Sequence, residues 1–148
     1  MKTILVPVDL SAATLRVCDA AGDLARLMDA RLVFLHIVQE PPVMLNDYYA
    51  FDAGALSEAV KAGEKYATRR LLALARRCRR KNLTVRTVQL TGQPVAGILA
   101  QAAATKADYI VLGSHGHGAV YDLIVGSTTR GVLRKARCPV LVIPAGRR

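Results

Sequence analysis

Residues 109–129 read YIVLGSHGHGAVYDLIVGSTT. The first five, Tyr109–Gly113, form an uninterrupted apolar run of strand length. A strand covered on both faces reads this way, whereas a half-exposed one would alternate apolar and polar residues. Glycine closes the run, and after a glycine-rich stretch Gly126-Ser127-Thr128-Thr129 opens a helical pattern. Strand, glycine turn and helix make one crossover unit of a parallel sheet.

The same unit recurs on either side. Lys2–Val8 (KTILVPV), Leu32–Val38 (LVFLHIV), Thr84–Leu90 (TVRTVQL) and Pro139–Pro144 (PVLVIP) read as further strands. Between them, Ser11 is the expected N-cap of a helix to about Asp29, with Leu15, Cys18, Gly22, Ala25 and Met28 on its apolar stripe. A long helix is expected from about Leu56 to Lys81, its apolar face made by Leu56, Val60, Gly63, Ala67, Leu71, Leu74 and Cys78. A third opens on Pro94, suited to the first helical position, and runs to about Thr105. The fourth spans Ser127 to about Ala136 and is stopped by Pro139. The alternation implies one α/β domain over residues 1–148, a Rossmann-like open parallel sheet with right-handed crossovers and helices on both faces. Gln39–Ala55 is the one long irregular stretch, and loops of that length are functional or mobile.

Composition narrows the function classes. No Trp and two Phe, against 52% hydrophobic residues, require an aliphatic core. The net charge of +10 is concentrated in Arg69, Arg70, Arg76, Arg77, Arg79, Arg80 and Lys81 near the end of the long helix, where the dipole favours cations. Such a run reads as a solvated face, and no aromatics interleave to stack bases, so nucleic acid is not an expected partner beyond weak attraction of polyanions. Cys18, Cys78 and Cys138 are far apart with no CxxC pair, which predicts reduced thiols and neither disulfide nor zinc site. No stretch approaches the ~18 apolar residues of a membrane span. The N-terminal MKTILVPVDLS lacks a signal-peptide cleavage site, so a cytoplasmic location is expected.

In an open parallel sheet, ligands sit beyond the C-terminal ends of the strands. Two ends are chemically marked: Pro7-Val8-Asp9 after the first strand, and Leu112-Gly113-Ser114-His115-Gly116 after the fourth. Successive N–H groups at strand-end glycines make an anion-binding nest. A helix opening at Ser127 adds unpaired N–H groups and a positive dipole end, and Ser127 and Thr128 add hydroxyls. This predicts a phosphate cradle. Gly92–Gly97 (GQPVAG) has Walker A glycine spacing but continues with Ile98 and Leu99 in place of Lys-Ser/Thr. The dinucleotide fingerprint fails too, because the first strand is followed by VDLSAAT, without glycine. Ser114-His115-Gly116-His117 departs from the nucleotidyltransferase [HT]xGH signature in its first residue and in its place in the fold. His36, in an apolar strand, is expected to be a satisfied core residue. His115 and His117 have no clustered Cys or carboxylate beside them, so no metal site is assigned to them.

Gly113-x2-Gly116-x9-Gly126-Ser127 resembles the G-2x-G-9x-G(S/T) pattern of the ATP-binding subgroup of the universal stress protein family. The likeness extends to ILVPVDLS (4–11), LHIV (35–38) and VLRKARCPVLVIP (132–144). It implies strand order 3-2-1-4-5, often a homodimer, and ATP or another adenine nucleotide lying across strands one and four, with Mg or Mn as the accompanying ion where one is used. By position, Asp9 would meet the ribose or a metal, and Val38 the adenine through its backbone. Gly113, Gly116, Gly126, Ser127 and Thr128 would hold ribose and phosphates. Thr128 and Thr129 depart from the family's frequent Val and Ser, and their hydroxyls would add phosphate contacts. The reading that follows is a nucleotide-binding stress-response module with little or no turnover; the alternatives are a slow ATP hydrolase or phosphotransferase and, ranked below it, a basic nucleic-acid-binding protein. Pro139–Pro144, an ungated apolar edge in that strand order, is the expected dimer contact.

Overall fold

The computed structural model describes residues 1–39, 53–114 and 125–144. Strands and helices alternate as β1 (Lys2–Pro7), α1 (Thr14–Met28), β2 (Ala30–Val38), α2 (Ala53–Arg79), β3 (Val85–Thr91), α3 (Pro94–Ala104), β4 (Tyr109–Gly113), α4 (Ser127–Lys135) and β5 (Val140–Ile143). The sheet order is β3-β2-β1-β4-β5, every pairing parallel. Central β1 pairs Ile4 and Leu5 with Leu32 and Val33 on one side and with Tyr109 and Ile110 on the other.

Alternation along the strands divides their side chains between two cores. Ile4, Val6, Leu32, Phe34 and Val111 join Val17, Ala21 and Ala25 of α1 and Leu71, Leu74 and Cys78 of α2. Leu5, Val33, Leu35, Ile110 and Leu112 join Ile98 of α3 and Val132 of α4 on the opposite face. Helices therefore cover both faces, which is the physical reason the strand sequences are continuously apolar.

Local starts and phases differ from the sequence expectation in three places. Ala13, not Ser11, occupies the N-cap position of α1, and no side chain caps it. A turn comes first, in which the Thr14 N–H bonds the Ser11 carbonyl at 3.1 Å. The Ser11 hydroxyl is buried and has no partner among the described residues. The stripe of α1 is also rotated: Thr14, Val17, Cys18, Ala21, Gly22 and Ala25 are buried, while Leu15 is 45% exposed. Small residues let the helix approach the sheet, and a Leu at the stripe's edge is left outside. In α2, Gly63 is exposed and belongs to the rim of the cleft described below, not to the apolar face.

The two layered helices on the first face are tied by charge as well as by packing. Asp19 of α1 accepts hydrogen bonds from Arg77 at 2.7 Å and from Lys81 at 3.3 Å. Cys18 and Cys78 are both buried and free beside this pair. Burial, then the neighbouring Cys78, pushes the Cys18 thiol up to about 12, so it stays protonated and unreactive at neutral pH.

On the second face α3 and α4 meet at a glycine. A Cβ on Gly131 would stand 2.7 Å from Val95 Cγ2, and a helical Val has little freedom at χ1 to yield. Gly131→Ala should cost ~1–3 kcal/mol by overpacking, a fall of several degrees in Tm at about 2–4 °C per kcal/mol. At Gly63 a Cβ would meet nothing within 4 Å, and Gly63→Ala should gain ~0.5–1 kcal/mol. Thermal unfolding of the two variants checks both, and shifts of the same sign would refute this account of the α3–α4 contact.

Candidate functional site

The chain leaves β1 toward β2 on one side and returns beyond it to β4 on the other. At such a switch point the strand ends diverge and leave a crevice. Here it is a cleft of about 780 Å³, within the roughly 300–1,000 Å³ of small-molecule and cofactor sites. Of the residues nominated from sequence, Pro7, Asp9, Val38, Leu112, Gly113, Gly126, Ser127 and Thr128 all line it. His115 and Gly116 lie outside the described residues, as do His117 and Gly118.

The first wall is the turn after β1. Leu10 has φ 63°, a left-handed conformation disfavoured for a bulky side chain. Asp9 compensates: its Oδ1 accepts the Ser11 N–H at 3.0 Å and the Thr14 hydroxyl at 3.3 Å, while Leu10 packs against the first core. The other carboxylate oxygen, Oδ2, has no partner among the described residues. Asp9 thus builds the turn with one oxygen, keeps the second without a partner among the described residues, and lines the cleft.

The second wall is the junction of β4 and α4. Ser114 N–H bonds the Ile143 carbonyl and Gly126 N–H bonds the Ser114 carbonyl, each at 2.8 Å. The Thr129 hydroxyl donates to the Gly113 carbonyl at 2.7 Å. These bonds clamp the start of α4 against the end of β4. The Thr129 hydroxyl is therefore a structural clamp and not the phosphate donor its sequence position suggested. Gly126 is the N-cap of α4, and no side chain caps the helix. The N–H groups of a first turn have no intrahelical acceptor, and they carry the positive end of the dipole. Ser127 and Thr128 place their hydroxyls beside them.

The third wall joins β2 to β3. Gly92 N–H bonds the Val38 carbonyl at 2.9 Å. Gly92 has φ 133°, which side chains rarely adopt, and it turns the chain into α3, whose Pro94 and Ile98 reach the cleft. His36 is satisfied as expected, its Nδ1 2.9 Å from the Val8 carbonyl. A carbonyl partner makes Nδ1 the donor, so in the neutral ring Nε2 is the acceptor. Yet His36 is half-buried and lines the cleft, so it is not a core residue.

Electrostatically the cleft is unusual for an anion site. Among the described residues that line it, Asp9 is the only carboxylate and none is Lys or Arg. Arg130 lies one turn into α4 and aims its guanidinium at the Val125 carbonyl, 3.4 Å away. Any anion would be met by backbone N–H groups and hydroxyls. Among the described residues no group of three or more His, Cys, Asp or Glu could hold a metal ion. Sequence reasoning missed Thr14, His36 and Pro94. The signal was present, since the rule that ligands sit at strand ends applies to β2 and β3 as well.

A doubly wound parallel sheet with a ligand cleft at its switch point defines the protein class. Residues 1–144 match the model of the Universal stress protein family, and the chain belongs to that family. A universal stress protein of Thermus aquaticus, from the QAH/OAS sulfhydrylase 3' region, is 34% identical over 142 residues, which is 96% of this chain and 98% of that protein. The solved structure of the universal stress protein UspA from Lactobacillus plantarum superposes with TM-score 0.81 at 29% identity, covering 96% of this chain and 97% of that one. Two further structures share the fold at 23% identity: a universal stress protein in complex with cAMP, TM-score 0.65, covering 98% of both chains, and one from Archaeoglobus fulgidus in complex with dAMP, TM-score 0.67, covering 97% of this chain and 98% of that one. Among the described residues, no helix is long and apolar enough to cross a membrane.

The dual duty of Asp9 has a measurable consequence without any ligand. Asp9→Ala should lower stability by ~0.5–2 kcal/mol, the usual range for losing a side-chain cap of this kind. Asp9→Asn, which keeps an oxygen acceptor, should retain most of it. Urea unfolding of the ligand-free variants checks this, and an unchanged midpoint for Asp9→Ala would show that the turn holds without the carboxylate.

Proposed function

We propose that the chain is an adenine-nucleotide-binding module of the stress response, acting in the cytoplasm, that holds ATP or a related adenine nucleotide with little or no turnover. The observation that carries this reading is the uncapped N-terminus of α4, which shares one cleft with Gly113 and Asp9. Gly126, Ser127, Thr128 and Gly113 would take the phosphates. His115 and Gly116 would complete their loop. Asp9 Oδ2 would take a ribose hydroxyl or an ion carried by the nucleotide, and the Val38 backbone the adenine, with Pro7 and Leu112 as apolar neighbours. The cAMP and dAMP complexes of two proteins of this fold support the adenine part, and the glycine spacing supports ATP. One carboxylate fits a Mg²⁺ or Mn²⁺ that arrives on phosphate oxygens, since Mg²⁺ is commonly held by one or two carboxylates plus substrate phosphates.

Slow or absent turnover follows from what holds the anion. Fast phosphoryl transfer needs charge neutralisation at the γ-phosphate and a positioned nucleophile. Backbone N–H groups and hydroxyls bind ground and transition states about equally, and uniform binding does not accelerate chemistry. No Lys or Arg occurs between Gly113 and Thr129, and Arg130 is turned to the Val125 carbonyl.

Gly126→Leu should abolish ATP binding and keep the fold. A ligand at ~100 times its Kd stabilises by ~2.7 kcal/mol, so ATP should raise Tm of the native protein by several degrees and leave the variant unmoved. Equal shifts would remove the α4 N-terminus from the site. Asp9→Ala should weaken ATP binding more than it alters any turnover, and hydrolysis at ~1 per second or faster, an ordinary enzyme rate, would overturn the binding-module reading. Mass spectrometry of the nucleotide released on denaturation identifies the resident ligand.

The same reading includes a homodimer. β5 (Val140–Ile143) is a sheet edge with Leu141 41% exposed, and a bare apolar edge is a template for pairing. Two-fold pairing of Pro139–Pro144 with its copy would cover both edges. Light scattering should give a dimer at micromolar concentration and Val142→Lys a monomer. A native monomer would defeat the assignment.

A further inference from the structure

Among the cations of α2 and of the two residues after it, some are used by the fold and others are not, a difference the sequence does not show. Arg77 and Lys81 are bound to Asp19 of α1, and Arg79 donates to the Val85 carbonyl at 2.8 Å. Lys65, Arg69, Arg76 and Arg80 are exposed and have no hydrogen-bond or ion-pair partner among the described residues. Their spacing of four, seven and four residues puts them within about 60° of one another on a helix of 3.6 residues per turn, along roughly 22 Å of its length. The helical bonding continues to Arg80, whose N–H reaches the Arg76 carbonyl at 3.0 Å. Buried Ala67, Leu71, Leu74 and Cys78 hold the opposite side against the sheet. Between residues 65 and 81 there is no acidic residue. At its N-terminal end the stripe borders a depression of about 410 Å³ lined by Lys61, Lys65 and Arg69 with Glu64, Thr68 and Gln89, so three cations there face one carboxylate. Arg77, Arg79 and Lys81 tie this end of the helix to the fold, while the crest cations are left without an ion pair among the described residues.

We infer that this crest is a second binding surface, one that docks on the sugar-phosphate backbone of duplex nucleic acid without reading its sequence. The choice of partner follows from what the crest lacks. A protein interface needs aromatic or Arg anchors seated in pockets, whereas the exposed Tyr66 stands beside the first cation, about 100° around the helix from Lys65, and Leu72 and Ala73 are the other apolar residues along the crest that are not buried. A membrane-surface helix inserts an apolar face, and that of α2 is packed in the core. A duplex backbone binds through charge neutralisation and counterion release alone. It presents one charge per ~1.7 Å of axis, so a rod of four cations meets several phosphates at once.

The test uses the full chain and a fluorescein-labelled 20-base-pair duplex, with anisotropy titrations from 50 to 200 mM salt. Four phosphate contacts give a slope of log K against log salt of about −3.6, at about −0.9 per contact. The variant Lys65→Gln, Arg69→Gln, Arg76→Gln, Arg80→Gln should bind about tenfold or more weaker with a slope near zero. A control with the same net charge, Lys106→Gln, Arg134→Gln, Arg137→Gln, Lys2→Gln, should keep the native slope. Gln resembles Lys and Arg in helix propensity, and the single variants Arg69→Gln and Arg76→Gln should each reduce the slope by about 1. Equal losses in both quadruple variants, or no binding by the native chain at 50 mM salt, would overturn the inference. So would crest-dependent binding to phosphatidylserine vesicles with unaltered duplex binding. ATP-induced stabilisation should survive in the crest variant, and duplex binding in Gly126→Leu, so failure of either surface is distinguishable from failure of the other.

Discussion

β1 is hydrogen-bonded on both sides and covered on both faces, and the rest of the molecule is arranged around that double burial. Ile4, Leu5 and Val6 are fully buried, with Ile4 and Val6 in one core and Leu5 in the other. A strand so placed is apolar through its centre, and its buried polar residue, Thr3, is matched by hydrogen bonds to Arg31 and Asp108. Its neighbours must be parallel to it, because each connection returns through a helix across one face. Parallel strands end together, so Pro7, Val38, Gly113 and Ile143 fall along one edge of the sheet. The cleft is a geometric residue of this arrangement: connections leave β1 in two directions and nothing in the sheet fills the gap.

That logic explains what could be read from the sequence. Uninterrupted apolar runs such as ILV and LVFL have one structural meaning when each is followed by a helix, and the order of elements followed from them. The strand-end rule puts Pro7, Asp9 and Gly113 at one end of the sheet, and the start of α4 brings Gly126 and Ser127 to the same cleft. The order β3-β2-β1-β4-β5 needed the family resemblance, since local patterns do not say which strands are neighbours.

The misreadings share a different cause. Ser11, Leu15 and Thr129 were read from residue type, but each role is set by a hydrogen bond or packing contact reached through space. Ser11 is a good cap in isolation, yet its hydroxyl is buried with no partner among the described residues and its carbonyl takes the Thr14 N–H in a preceding turn, so the helix starts at Thr14. Thr129 has the right hydroxyl for a phosphate, yet the Gly113 carbonyl lies 2.7 Å away and takes it first. His36 has a core residue's neighbours in sequence, but a strand end is also a cleft wall. Near a ligand cleft such local competition is dense, because the turns that shape it use polar side chains to hold unusual backbone such as Leu10.

The charge of +10 is distributed unevenly, and the distribution bears on the proposed function. The described cleft lining contains no Lys or Arg, while the crest of α2 carries four cations without an ion pair among the described residues. A cation at the cleft would strengthen the hold on any phosphate, but it would also stabilise the charge that develops in phosphoryl transfer. Helix-terminal N–H groups and hydroxyls hold an anion through directed hydrogen bonds, so shape and contact geometry decide what is kept. On the crest, with a Debye length near 10 Å at 0.1 M salt, charge acts without shape. On the proposed reading, two modes of anion recognition would be separated on one small domain: at the switch point the backbone would select by geometry, and on the outer helix side chains would select by charge density.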